Sequence, residues 1–292
     1  AHNVQGPTSR KEPRSGEGAA EGTLHLFDVT GPYQIPYGVM VPKQHRGILF
    51  PVGISSTHVA MCTVRMEPVW SSLGQAAGVA AALAIDHDKE LGDLPVSQIQ
   101  DQLVKQGCVL FFYTDLPRDA PSFEAVQKLS LLGAVANNDP DRFHSNGPSA
   151  SLTDLNKEAY RFRPKELVTR SEFARMVVKG LQVPLSITAA HFSDVPRGHP
   201  AFQYIETLYD YSTQSHEPFF DYEIQKEPGK STRVLAHPDQ EVTSAKAIKI
   251  ISGLLQEKVQ VWPKPDTNLT RGEAAQLIYQ QNDMNNRVKS LY

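Results

Sequence analysis

The residues able to do chemistry are few and scattered. His58 is a lone imidazole in the segment ISSTHVAMCTVRM, read as a loop. Such a side chain is a proton donor or acceptor near neutral pH, or a hydrogen-bonded structural residue. Two copies of Thr-Arg-x-Glu follow much later, Thr169 to Glu172 and Thr270 to Glu273. A Thr with Glu three residues on is the spacing of a capping box, so helix capping alone explains both copies; Arg170 and Arg271 are their intervening cations. Cys62 and Cys108 cannot build a disulfide framework or a four-Cys zinc site, and read as buried thiols. There is no H-E-x-x-H, G-x-S-x-G or Walker loop. Asp139 and Asp141 lack a bidentate Glu at calcium-loop spacing, so no metal is expected. GEGAAEG superficially matches a phosphate-binding loop, but Glu21 stands where the third Gly is needed and no strand precedes it; it reads as linker. Asn268, Leu269 and Thr270 form a glycosylation triplet, although Thr270 is better explained as a helix cap.

The elements that must position these residues fall into two parts. A length of 292 residues suggests two domains, at roughly 150 residues each. With 40% hydrophobic and 21% charged residues, the chain can build packed cores. A net charge of -3 argues against a nucleic-acid or membrane-surface partner. No apolar run is expected to reach the roughly 18 residues of a membrane span, and the polar first residues carry no signal-peptide core.

Residues 1 to about 25 read as a loop or extended arm. From Leu24 to Val41, alternation interrupted by Pro32 and Pro36 suggests short strands, and GILFPVG (Gly47 to Gly53) a buried strand. Glu67 to His87 is the clearest helix, with an acid at its start and Pro68 in the first turn. Gly74 and Gly78 in its interior cost about 1 kcal/mol each relative to Ala, so close backbone packing is expected to offset them. Leu94 to Gly107 is an amphipathic helix closing the first part.

The second half repeats at a period of roughly 70 residues. TDLPRDAPSFEAVQKLSLLG (from Thr114) matches SDVPRGHPAFQYIETLYDYS (from Ser193). FRPKELVTRSEFARMVVKGL (from Phe162), AHPDQEVTSAKAIKIISGLL (from Ala236) and WPKPDTNLTRGEAAQLIYQQ (from Trp262) form a second set, each with a turn, a Thr cap and a helix.

That pattern resembles the S-layer homology (SLH) domain. The resemblance implies a helical bundle that anchors proteins to cell-envelope polysaccharide, with Arg170 and Arg271 exposed in grooves that grip acidic glycan. The middle copy departs, having Ser244, Ala245 and Lys246 after Thr243. The third lacks a leading half unless it pairs with the segment of Asp115. Two insertions, NNDPDRFHSNGPSASLTD and SHEPFFDYEIQKEPGKST, are unlike a compact anchor, and a purely structural role is the alternative.

The first part resembles the C-terminal stretch of FAD-dependent oxidoreductases of the glutathione-reductase-like class. The matching segments are HNVQ, GPYQIPYGVMVPK, GILFPVGISSTHVAMCTVRMEPVW and LGQAAGVAAALA. The resemblance implies FAD, with backbone groups of Arg65, Met66, Glu67, Pro68 and Val69 at the flavin ring. It implies His58 as a proton donor or acceptor beside the flavin and His2 on the substrate side. The side chains of Arg65 and Glu67 have a local ion pair as their alternative. Where the family commonly carries Arg after Pro-Tyr, Gly38 follows Tyr37, which weakens any anionic-substrate contact there.

A flavin also needs a strand, glycine loop and helix for its pyrophosphate, and no such unit is found here. The expected fold is therefore α+β or α/β: residues 1–112 as the C-terminal portion of an FAD-binding Rossmann-like domain, residues 113–292 as an SLH-like α-helical repeat bundle. The partners implied are a separate N-terminal flavin-binding portion, cell-envelope polysaccharide and a homo-oligomer, with a cell-envelope or extracellular location. The alternative is a non-enzymatic envelope protein with a vestigial flavoenzyme segment.

Overall fold

The computed structural model describes residues 2–5, 20–24, 32–135, 160–214, 218–226, 228–229, 231–257, 259 and 267–289; the side chains of 2–5, 20–24, 58, 59, 214 and 282–289 are not among the described parts. The chain divides into two compact units, with the main break between Leu110 and Phe111.

In the first unit, β1 (His2–Gln5) pairs antiparallel with β2 (Ala20–Leu24). The expected arm is thus a hairpin, because its ends satisfy one another's backbone groups. Tyr37–Met40 is a 3-10 turn, not a strand. Gly47 to Gly53 is not a strand either. It is an extended loop held by Phe50 N–H to the Met40 carbonyl (2.9 Å), while Ser55 N–H reaches the Val39 carbonyl (2.9 Å). No strand among the described residues pairs with it, and its alternating side chains Ile48, Phe50 and Val52 are exposed. Helix α1 (His58–Val64) replaces the expected loop; Thr57 caps it by accepting from Ala60 N–H at 3.2 Å. The sheet among the described residues of this unit is one antiparallel pair, so the α+β class holds and a parallel sheet is absent there.

Helix α2 (Glu67–Asp86) starts where its sequence places it, and α3 (Val96–Lys105) packs beside it. Leu73, Ala80, Leu83 and Ala84 form the buried stripe of α2, at the helical spacing a core face requires. Ile99 and Leu103 of α3 complete that core, and the Tyr37 hydroxyl ties it to the turn at Leu91 (2.9 Å to the carbonyl). By length and composition α2 is long and apolar enough to cross a membrane, contrary to the expectation of no such stretch. Its opposite face is open: a Cβ at Gly74 or Gly78 would meet nothing within 4 Å. The expected close backbone packing is therefore absent among the described residues.

The second unit is helical: α4 (Phe123–Leu131), α5 (Arg170–Gly180), α6 (Phe202–Gln214), α7 (Ser244–Leu255) and α8 (Arg271–Lys289). The first insertion lies outside the described residues. The second contains β3 (Glu223–Gln225), paired antiparallel with β4 (Arg233–Leu235).

The unit is organised around a three-way backbone ring. Val168 N–H donates to Leu269 C=O (2.9 Å), Leu269 N–H to Val242 C=O (2.9 Å), and Val242 N–H to Val168 C=O (3.0 Å). All three side chains are buried, so each prong supplies both a hydrogen bond and an apolar plug. The next residue in each is the Thr cap. Thr169, Thr243 and Thr270 accept from the N–H of Glu172, Lys246 and Glu273 respectively. The first helical N–H of each prong donates outward to another: Arg170 to Gln240 C=O, Ser244 to Thr267 C=O, Arg271 to Glu166 C=O. The open question of the third copy is resolved by packing: α8 lies against α4, with Tyr279 Oη 2.6 Å from Glu124 and Gln276 Nε2 donating to Pro121 C=O at 2.8 Å.

Candidate functional sites

In the first unit, the start of α2 is the candidate site. Met66 occupies the cap position without a side-chain cap bond. Arg65, Met66, Glu67 and Pro68 are exposed, while Val69 is half-buried against the cluster of Met40, Ile54, Val64 and Leu73. The positive end of a 20-residue helix is thus open to an external acceptor. The exposed residues Ile48, Phe50, Val52 and Met66 give this unit uncovered apolar surface as well. His58 is the first residue of α1, whose last residue, Val64, precedes the 65–66 turn. The side chains of His58 and His2 lie outside the described parts, as does any loop around Asp139 and Asp141. Cys62 and Cys108 are half-buried thiols.

In the second unit, the two repeat arginines are not where a surface grip needs them. Arg170 is 1% exposed and Arg271 is 5% exposed. This corrects the expectation of exposed groove residues. The cause lies in their position at the first residue of α5 and α8, which aims them across the ring into a neighbouring prong. Arg271 Nε donates to Phe162 C=O at 2.7 Å, its Nη1 pairs with the Glu172 carboxylate, and its guanidinium lies 5.2 Å from the Phe162 ring centre. Arg170 Nη1 donates to Ala236 C=O (2.7 Å) and Asp221 C=O (3.0 Å), with the guanidinium 5.2 Å from the Phe220 ring centre. Burial lowers the Arg170 pKa, and the nearby Asp221 opposes that shift; a guanidinium stays charged regardless.

The two sites then diverge. Glu172, the third residue of α5, supplies the carboxylate for Arg271, but the matching residue of α7 is Lys246, which pairs with Asp221 instead. That hydrogen bond holds the Asp221 carboxyl below the ordinary aspartate range. A groove of about 730 Å³ opens beside Arg170, bordered by Asp194, Asp221, Glu223, His237 and Asp239. Glu223 and His237 Nε2 are 2.9 Å apart.

Two carboxylates escape a reading based on helix caps. Asp115 accepts from Phe162 N–H and Arg163 N–H, both at 2.8 Å. Asp194 does the same for Ala236 N–H (2.9 Å) and His237 N–H (2.8 Å). Each clamp holds a residue with left-handed backbone, Arg163 at φ 59° and His237 at φ 52°. The signal was present in the repeated Asp-x-Pro of TDLP and SDVP.

Residues 4–103 match the family model described as FAD dependent oxidoreductase. The match covers the first unit's helices and the open start of α2, and FAD is the cofactor of that family. No curated protein matches the chain.

Proposed function

We propose that the first unit supplies the flavin-ring side of an FAD-dependent oxidoreductase of the glutathione-reductase-like class. The observation that carries this is the uncapped, exposed start of α2 within the segment matching the FAD-dependent family. Bound flavin supplies hydride acceptance from an organic substrate. The backbone of residues 65–69 orients the ring through the helix's positive end, which favours negative charge on the ring. His58 holds or moves a proton beside it, and His2 stands on the substrate side. The rest of the flavin site comes from a separate flavin-binding portion, whose apolar surface covers Ile48, Phe50 and Val52 and the open Gly74 and Gly78 face. The test is an absorption spectrum of this chain purified together with that portion. Bound oxidised flavin supports the reading. A colourless complex supports the alternative, a non-enzymatic protein with a vestigial flavoenzyme segment.

The second unit acts as an SLH-like module for cell-envelope polysaccharide, in a protein of the cell envelope or exterior that forms homo-oligomers. The threefold ring and the open groove beside Arg170 favour this reading. Arg170 borders that groove but is buried, and Arg271 is paired with Glu172, so a glycan would be held by the groove's exposed rim. Co-sedimentation of the full chain with purified envelope polysaccharide tests it; protein that never pellets at low salt removes the anchoring role.

A further inference from the structure

The connection between α5 and α6 has its polarity turned inside out. Ser186 Oγ, Thr188 N–H and Thr188 Oγ1 donate to the Asp210 carboxylate at 3.0, 3.0 and 2.8 Å, and Ser186 N–H donates to Thr207 Oγ1 at 3.2 Å. Asp210 and Thr207 are buried on α6. The polar side chains of the segment are thus tied to the bundle. The alternate ones, Leu185 and Ile187, are left 53% and 40% exposed. A single exposed leucine is ordinary, but a buried carboxylate that fixes apolar residues outward is not, and such a surface marks a binding face.

Leu185 lines a groove of about 400 Å³ that runs from the ends of α4 and α5 to the side of α6. Leu132, Val178, Val183 and Tyr204 give it apolar walls. Its charge is of one sign: Lys179, in the last turn of α5, lines it, and no carboxylate does. Lys179 makes no side-chain hydrogen bond or ion pair among the described residues. One turn earlier, Arg175 Nε donates to Gly133 C=O at 3.2 Å, and its guanidinium lies 6.0 Å from the Tyr204 ring centre. It too has no carboxylate partner among the described residues. Size selects the class of occupant. A stable protein partner needs roughly 800 Å² on each side, and two exposed apolar side chains fall far short of that. The groove's volume lies within the range of small-molecule sites.

We propose that this groove binds a free single-chain fatty acid, with its carboxylate on Lys179 and its acyl chain along Val183, Leu185 and Tyr204. The probes are decanoate, 1-decanol and decyltrimethylammonium, each below its micelle-forming concentration, with binding to the full chain measured by equilibrium dialysis. The expected order of affinity is decanoate, decanol, decyltrimethylammonium. Lys179→Met lowers decanoate affinity about two- to fivefold, the size of one exposed charge pair, and leaves decanol affinity unchanged. Leu185→Asn lowers affinity for both about three- to tenfold, since roughly half a leucine side chain is no longer removed from water. Ile224→Asn, a similarly exposed change on β3, alters neither. Absence of decanoate binding, decyltrimethylammonium bound as tightly as decanoate, or equal losses in Leu185→Asn and Ile224→Asn overturns the inference. So does a dimer in sedimentation velocity that Leu185→Asn dissociates, because a second copy would then cover the face.

Discussion

Replacing Arg271 by Met separates a structural pin from a surface grip. The side chain is 5% exposed, donates to Phe162 C=O at 2.7 Å and pairs with Glu172, whose side chain is 27% exposed. Losing the charged bond to the carbonyl costs about 1.5–3 kcal/mol. Breaking a fully buried pair costs about 3–5 kcal/mol, and the partial exposure of Glu172 places this case near the lower end. Met retains much of the apolar packing on the Phe162 ring, which limits further loss. The expected total is at least about 3 kcal/mol, read from urea unfolding followed by far-ultraviolet circular dichroism at neutral pH. A surface arginine would cost well under about 1 kcal/mol. A loss that small would refute the claim that Arg271 pins one prong to the next. Glu172→Gln in the same background should then cost less than it does alone, because its partner is already gone.

Three further outcomes follow from local geometry. Gly78→Ala should stabilise the chain by up to about 1 kcal/mol in thermal melts, because its Cβ meets open space; in the presence of the proposed flavin-binding portion the same change should weaken association. Gly180→Ala should destabilise by about 1–3 kcal/mol, since the new Cβ would lie 2.7 Å from side-chain carbons of Leu129 and Ile278. Lys246→Gln should cost less than about 1 kcal/mol, because Asp221 is 80% exposed. The depressed Asp221 pKa means that this contribution is present above the ordinary aspartate range and lost as pH falls through the lowered value. The two melting curves should therefore converge in acid, and a gap that widens there contradicts the assignment.

Helices with strong local signals were legible in the sequence. Glu67 and Pro68 mark the start of α2, and Thr169 with Glu172 forms the expected capping box. The Thr caps of the other two prongs are legible for the same reason: their partners lie three residues away. Failures came where long-range partners decide the outcome. GILFPVG has strand-like composition, but a strand needs a neighbour, and among the described residues the loop is held by a backbone bond to Met40 and by the packing of Leu49. The burial of Arg170 and Arg271 was hidden because their acceptors lie in other prongs, 66 and 109 residues away. The acidic rim was likewise assembled from separate segments, so no single motif announced its sign.

The reduction potential of bound flavin in Glu67→Lys, compared with the unchanged chain, tests the central claim most directly. Glu67 is exposed at the first position of α2, so the exchange leaves the core untouched. It reverses one unit of charge at the helix start, worth about 1–2 kcal/mol to an anionic reduced ring in close contact. For a two-electron couple this corresponds to an upward shift of about 20–40 mV. The measurement is made on the chain joined with the proposed flavin-binding portion. An upward shift of that size places the start of α2 at the flavin ring; a potential that does not move contradicts it.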